Sequence, residues 1–326
     1  MTAAATTATA TTSAAATAVA VTGVGVVLPG LNEPGGLRHG PVAGADPVDP
    51  AALIGKKGLR FKDRATQLGL CMAAAALTDA GLLGPRGLLV PGDRVGVVVS
   101  SNLGNADTVC RAVATIAEEN TGALSPMDTP NASSNIIASE IAIRFGLRGP
   151  NLTVCNGVTS GLDALRWARL TLRSGRADHM VVAGVEPDND VTRRLTGARM
   201  VDGGAAVVVS RSDAAGAAAP RVLLGPSFRT EKLPDCVAAL ADAVPGPARD
   251  AAAGLWLGPD PSAVPPGGET ADLSGWGDCS GALGLLHCAT AVAWADSGRT
   301  EPVYALLGGA GGEASGTVWI PVERAA

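Results

Sequence analysis

Aromatic and charged residues are scarce in this chain, and both shortages limit the class of protein. Phe, Trp and Tyr together make up 3% of the 326 residues, whereas the wider hydrophobic set makes up 47%. A chain this apolar is not disordered as a whole, and its core must consist mainly of Ala, Val and Leu. Lys plus Arg number 25 against 30 Asp plus Glu, so the formal charge of −5 offers no attraction to nucleic acid or anionic membranes.

Long apolar runs and clustered metal-binding residues are also missing. No apolar run reaches the roughly 18–20 residues of a membrane helix, so we expect no membrane span. Residues 1–18 are almost entirely Ala and Thr, without the cationic start of a signal peptide, and are expected to form a disordered tail. The cysteines form no CxxC pair or His/Cys cluster, which excludes a metal site and favours reduced thiols in the cytoplasm: Cys71, Cys110, Cys155, Cys236, Cys279 and Cys288.

Buried strands alternate with helices along the chain. This alternation predicts an α/β fold with buried sheets. An Ala/Gly/Pro stretch at residues 214–220 separates two halves, and the second repeats the strand–helix order of the first in shortened form. The predicted strands cover residues 19–27, 93–101, 151–154, 181–185, 204–210, 254–257, 303–307 and 317–322, and the predicted helices cover residues 63–80, 107–119, 135–145, 161–174, 237–244 and 283–295.

The segment NLTVCNGVTSGLDAL, residues 151–165, has the composition of a strand, a turn of small residues and a helix. A sharp elbow of this kind places one side chain at the N-terminus of the helix. Unpaired N–H groups and the helix dipole favour negative charge there. An enzyme would place its nucleophile at such a position.

This segment resembles the β-ketoacyl synthases of the thiolase superfamily, and other motifs match in order. The resemblance covers nearly everything from residue 19 to the C-terminus. It implies a thiolase-like fold, with two related halves in an αβαβα layering, at residues 19–213 and 214–326. The matching motifs are VTGVGVVLPG at 21–30, DRATQLGL at 63–70, DRVGVVVSS at 93–101, GLRGPN at 146–151, RSGRADHMVVAGVE at 173–186, DGGAAVVVS at 202–210 and GDCSGALGLL at 277–286.

The chain departs from this family at the catalytic positions. Active members carry a cysteine three residues before the glycine that opens the elbow helix, and Val158 occupies that position. Asp278 replaces the histidine of a GHxxGAAG-like motif, and Ala310 replaces the phenylalanine of a Gly-Phe-Gly-Gly motif. No HGTGT-like motif is recognisable between residues 255 and 272. Because valine cannot form a thioester, the resemblance implies no catalysis by this chain itself.

One subfamily keeps the fold without the nucleophile, the chain length factor or β-subunit of type II polyketide ketosynthases. The helix opening GLDAL at residues 161–165 looks like that subfamily. The resemblance implies a heterodimer with a Cys-bearing ketosynthase α-subunit, forming a β-ketoacyl synthase (acyltransferase) complex. Acyl chains would arrive on the phosphopantetheine of an acyl carrier protein, and the chain would need no cofactor of its own.

The same resemblance implies which residues meet the partner and which line the elongation tunnel. A strand beside the elbow would pair with the partner, and the loop SPMDTPN at residues 125–131 would reach across the two-fold axis. The tunnel residues share one helix face and are small or medium in size, which favours a long product. The expected interface residues are Met127, Asp128, Thr129, Leu152, Thr153, Val154 and Cys155, and the expected tunnel residues are Ala106, Val109 and Val113.

Two other functions stay open from the sequence. A stand-alone thiolase-fold acyltransferase or decarboxylase would use Cys155 or Asp278, and a homodimeric scaffold would bind acyl carrier protein without a ketosynthase. Cys155 and Cys279 are equally compatible with small buried core residues. The apolar helix face at residues 106–113 is likewise compatible with ordinary core packing. The histidines, His39, His179 and His287, are expected to be structural.

Overall fold

Strands and helices alternate throughout the computed structural model, which describes residues 18–243, 254–258, 268–308 and 312–323. The first half contains β1 (Val19–Val27), α1 (Pro50–Ile54), α2 (Arg64–Asp79), β2 (Leu83–Gly84), β3 (Gly87–Leu88), β4 (Val95–Ser100), α3 (Ala106–Glu118), α4 (Ile136–Phe145), β5 (Asn151–Val154), α5 (Ser160–Arg173), β6 (His179–Glu186), α6 (Asp190–Thr196) and β7 (Gly203–Arg211). The second half contains β8 (Val222–Thr230), α7 (Leu233–Asp242), β9 (Leu255–Leu257), β10 (Glu269–Ala271), α8 (Leu283–Asp296), β11 (Val303–Gly308) and β12 (Ala314–Pro321).

The two halves have the same strand order. The first half runs β5-β4-β6-β7-β1 and the second runs β10-β9-β11-β12-β8. In each half the strand that comes last along the chain, β7 or β12, is antiparallel to both of its neighbours. The strand second in each order, β4 or β9, is parallel to both of its neighbours. A short antiparallel pairing of β1 with β8 joins the halves into one ten-stranded sheet. The predicted α/β fold with two related halves is therefore confirmed, whereas the domain boundary at residue 213 stays a prediction.

Three groups of helices complete the layers. Helices α5 and α8 pack against each other in the middle of the molecule, and α8 contacts strands of both halves. Helices α2 and α4 cover the outer face of the first half. Helix α7 covers the second half. This gives the predicted αβαβα order of layers, with the elbow at the start of the central helix α5.

Small residues allow the first strand and its covering helix to approach closely. A Cβ atom at Gly23 would lie 2.4 Å from the carbonyl oxygen of Ala76, and one at Gly25 would lie 2.5 Å from that of Met72. Helix α2 begins after Asp63, whose carboxylate accepts a hydrogen bond from the Thr66 N–H at 2.7 Å. A core packed this closely has little room for aromatic rings, in agreement with the composition.

Strand β8 was not predicted from the sequence. Its Gly225-Pro226 pair is typical of a strand end, because proline cannot donate to a sheet ladder. On the β1 side, however, β8 is paired only at Val222 and Leu223. Pro226 therefore lies where no neighbouring strand needs its N–H, and the strand continues to Thr230 against β12 alone.

Several other expectations can be compared with the described residues. The predicted helix at 237–244 begins earlier, at Leu233, and helix α6 was not predicted. Residues 1–17 of the expected tail lie outside the described residues, as does Ala310. No helix in the described ranges is long and apolar enough to cross a membrane. No group of three potential metal ligands occurs in the same ranges.

Candidate functional site

The elbow is a short turn between the edge strand β5 and the central helix α5. Strand β5 ends at Val154, so Cys155 lies just outside the strand rather than in it. A single 3-10 turn, Gly157–Thr159, then leads into α5, which begins at Ser160. Gly157 has φ of 81°, a conformation that favours glycine. Val158 is the middle residue of this turn and is half-buried.

Val158 and Asp278 line the same pocket, which has a volume of about 380 Å³. The Asp278 backbone is held by Met200 and its neighbours, and its carboxylate accepts a hydrogen bond from the Ser280 N–H at 2.9 Å. The position of the family's catalytic cysteine, here Val158, and the position of one of its histidines, here Asp278, thus line the same pocket. Neither side chain can act as a nucleophilic thiolate or as an imidazole base.

The pocket is acidic among its described lining residues. Asp272 and Asp278 line it, and no Lys or Arg does so among the residues that the structure describes there. Hydrogen bonds from Ser274 lower the pKa of Asp272, which keeps that carboxylate charged. A malonyl group is itself an anion, so two carboxylates in the pocket oppose its binding.

His287 also lines this pocket, a placement that the sequence did not reveal. Burial lowers the pKa of its imidazole to about 3, so the ring is neutral at pH 7. Its Nδ1 atom is buried and has no hydrogen-bond partner within the described part of the chain. Helical periodicity gave no signal for this histidine, because α8 is apolar on almost every side.

Cys155 is a poor candidate for a displaced nucleophile. Its Sγ donates a hydrogen bond to the Ser101 carbonyl oxygen at 2.8 Å. Although the residue as a whole is exposed, partial desolvation of its thiol and the Glu186 carboxylate raise the pKa of that thiol, which opposes formation of the reactive thiolate. Cys279 lines the pocket of Val158 and Asp278, and burial raises the pKa of its thiol to about 12. Both thiols are therefore protonated at neutral pH.

Glu186 is a buried carboxylate beneath the elbow that the sequence analysis did not single out. It accepts hydrogen bonds from the backbone N–H groups of Asn102 at 2.7 Å, Leu103 at 3.0 Å and Gly281 at 3.1 Å. Burial raises its pKa to about 7 despite these donors. Glu186 thus ties the loop after β4 to the turn before α8.

A second polar network holds the elbow to the other half of the molecule. The Asp163 carboxylate accepts hydrogen bonds from Asn156 Nδ2 at 2.7 Å, Thr159 Oγ1 at 2.9 Å and Arg229 Nη1 at 2.8 Å. Asp163 lies on α5 and Arg229 on β8, so the ion pair crosses between the halves. The elbow conformation therefore does not depend on a catalytic cysteine.

The expected tunnel residues lie on helix α3, which is largely exposed. Val113 is 60% exposed and Val109 is 38% exposed, whereas Ala106 at the helix start is half-buried. Ile116 extends the same face and is exposed as well. The apolar face is thus not part of the core of this chain.

The expected interface residues lie beside this helix or on the sheet edge. Asp128 and Thr129 line a pocket of about 220 Å³ together with residues of α3, and Met127 is exposed. Leu152 is exposed on the edge strand β5. Thr153 and Val154 are half-buried, and Cys155 is exposed.

The strand order and the position of the elbow define a thiolase-like fold. A family model described as "Beta-ketoacyl synthase, N-terminal domain" matches residues 37–217, more than half of the chain. The chain therefore belongs to the β-ketoacyl synthase family.

Similar proteins include 3-oxoacyl-[acyl-carrier-protein] synthases and polyketide beta-ketoacyl synthases. The chain is 30% identical over 138 residues to a 3-oxoacyl-[acyl-carrier-protein] synthase 2 from Vibrio harveyi, covering 42% of this chain and 32% of that protein. It is 34% identical over 132 residues to a granaticin polyketide putative beta-ketoacyl synthase 1 from Streptomyces violaceoruber, covering 39% of this chain and 30% of that protein. The matches thus span about a third of the length of these curated relatives.

Solved structures match over nearly the whole chain. The ishigamide ketosynthase/chain length factor has a TM-score of 0.76 at 21% identity, covering 94% of this chain and 100% of that chain. A type II polyketide synthase acyl carrier protein in complex with its ketosynthase has a TM-score of 0.75 at 14% identity, covering 94% of this chain and 99% of that chain. At these identities the likeness shows the fold alone.

Proposed function

We propose that this chain is a non-catalytic chain length factor, which pairs with a ketosynthase and shapes the cavity in which an acyl chain grows. The observation that carries the proposal is Val158 at the elbow, in one pocket with Asp278. The fold and the elbow are retained, but Val158 and Asp278 stand where the family carries its catalytic thiol and an imidazole. The thiol of Cys279 and the imidazole of His287 also line the pocket, but burial keeps both uncharged at neutral pH. A chain that keeps the fold but lacks the nucleophile fits a subunit that shapes the cavity and does not react with the acyl chain.

Exposed apolar residues supply the surface that a partner subunit would cover. Leu152 lies on the unpaired edge of β5, and sheet edges of this kind readily pair with a second chain. Val113 on α3 and Trp167 on α5 are more than half exposed, at 60% and 52%. Strand β5 and helix α5 flank the elbow, so a partner seated on them would bring its own active site close to it.

In this proposal only the ketosynthase performs covalent chemistry. Its cysteine would hold the growing chain, and acyl groups would arrive on the phosphopantetheine of an acyl carrier protein. The structural likeness to a ketosynthase/chain length factor and to a carrier-protein complex supports these two partners. The proposal places the complex in the cytoplasm, where the free thiols stay reduced.

No observation favours the stand-alone enzyme that the sequence left open. Cys155 is hydrogen-bonded to a backbone carbonyl, its thiol pKa is raised, and it does not line the pocket of Val158 and Asp278. Asp278 shares its pocket with Asp272, and the thiol nearest to it in sequence, Cys279, has its pKa raised to about 12 by burial and by the Asp278 carboxylate. The scaffold alternative differs from the main proposal in its oligomeric state, which one experiment distinguishes.

The test is co-expression of the chain with the Cys-bearing ketosynthase encoded nearest to it, followed by affinity capture and size-exclusion chromatography. We expect one species that contains both chains in equal amounts, because the exposed apolar surface is of the kind that obligate partners bury. The chain alone, of 32.2 kDa, is expected to aggregate or express poorly. Elution of the two chains as separate species would refute the proposal, and a stable homodimer would favour the scaffold.

A further inference from the structure

The outward side of helix α5 combines exposed apolar residues with arginines. Its inward side packs into the core through Leu162, Leu165, Ala168 and Leu172. Its outward side exposes Trp167 at 52% and Leu170 at 50%, together with Arg166 and Arg173, and Arg169 is half-buried beside them. We call these five residues, Arg166, Trp167, Arg169, Leu170 and Arg173, the arginine face. Its counterpart in the second half, α8, is buried almost throughout.

The arginines of this face have no acidic partner among the described residues. Elsewhere the guanidinium groups of Arg94, Arg193 and Arg211 form ion pairs with aspartates at 2.5–2.7 Å. Arg166, Arg169 and Arg173 form none within the ranges that the structure describes. Burial and the neighbouring Arg173 lower the pKa of Arg169, so these cations already repel one another. An uncompensated positive surface of this kind is unusual in a chain of net charge −5.

Resting on the proposed function, we propose that the arginine face binds carboxylates of the ketosynthase subunit and selects this subunit over a second copy of the chain. Strand β5 leads directly into the elbow and α5, and α5 packs against it. A chain that pairs along the free edge of β5 therefore also approaches the arginine face. Trp167 and Leu170 provide apolar area, and Trp and Arg are common anchors in protein interfaces.

Charge decides between the two possible occupants. Two identical chains paired edge to edge through β5, about a two-fold axis perpendicular to the strand, would bring two sets of arginines toward each other, and like charges across an interface oppose association. A ketosynthase with Asp or Glu at the facing positions would neutralise them. The arginine face thus favours the heterodimer both by attraction to the right partner and by repulsion from the wrong one.

The test compares Arg166→Glu/Arg173→Glu with a control, Lys56→Glu/Arg86→Glu, which makes the same charge change at exposed positions away from α5. The dissociation constant of each variant for the co-expressed ketosynthase is measured by sedimentation at low and high salt. We expect the arginine variant to bind at least tenfold more weakly and to lose most of the salt dependence. The control should bind within about twofold of the wild type.

A second variant, Arg166→Gln/Arg173→Gln, removes the charge without reversing it, and when it is co-expressed with a limiting amount of the ketosynthase it should form a larger homodimer fraction than the wild type. Equal ketosynthase affinity for the Glu variant and the control would overturn the inference while leaving the chain length factor proposal intact. Absence of any binding by the wild type would overturn both. Thermal unfolding of each variant confirms that the substituted surface residues leave the fold unchanged.

Discussion

Replacement of Asp163 by alanine is expected to lower the free energy of unfolding by about 2–3 kcal/mol, because a buried, hydrogen-bonded carboxylate is lost, whereas the Arg229 partner is 34% exposed and its charge stays partly solvated. The Asp163 side chain is 6% exposed and accepts hydrogen bonds from Asn156, Thr159 and Arg229. Without it, the elbow loses two anchors and the Arg229 guanidinium keeps only its exposed partner Glu313. Chemical denaturation of the whole chain, or of its complex, measures the loss.

The matched control is Asp213→Ala, which removes an exposed carboxylate bound to Arg211 at 2.7 Å. Exposed ion pairs contribute about 0–1 kcal/mol, so this variant should unfold close to the wild type. If Asp163→Ala and Asp213→Ala unfolded at the same denaturant concentration, the network would not hold the elbow. The elbow would then keep its shape through packing alone.

Val113→Phe is expected to shorten the longest product of the ketosynthase complex. Val113 lies on the exposed apolar face of α3, one turn from Val109. The Phe side chain has four more carbon atoms than Val, about the bulk of two two-carbon extension units, so we expect a loss of roughly one to two units. Mass spectrometry of the products released by the reconstituted complex measures the change.

Ala114→Phe is the control for this prediction. Ala114 follows Val113 directly but lies about 100° further around the helix, on a different exposed side. The same added bulk should leave product length unchanged there. Equal products from wild type and Val113→Phe would show that this face does not line the tunnel, and shortening by both variants would point to a general defect.

Much of the fold could be predicted because strand and helix signals recur in order. The run VAVTGVGVV forms β1 as predicted, and the helix predicted at residues 63–80 is α2, Arg64–Asp79. Strand β8 was missed, because its Gly-Pro pair is tolerated only where the neighbouring strand ends. Where β1 ends beside β8 depends on pairing between residues distant in sequence, so local sequence patterns do not reveal it.

The candidate site was predictable only where a motif existed. The motif alignment identified Val158 and Asp278, and the structure places them in one pocket. His287 joins them through the packing of α8, and Glu186 reaches three backbone N–H groups from two loops. The arginine face was equally hidden, because only tertiary structure shows which side of α5 remains uncovered.

The central claim is that this chain shapes a cavity but never holds the growing acyl group. Its most direct test incubates the chain alone, and then the ketosynthase complex, with acyl and malonyl groups on acyl carrier protein, and records intact masses. We predict that no acyl adduct appears on this chain in either sample, that the adduct appears on the ketosynthase, and that only the complex condenses. An acyl adduct on the isolated chain, mapped to Cys155 and accompanied by condensation, would contradict the account.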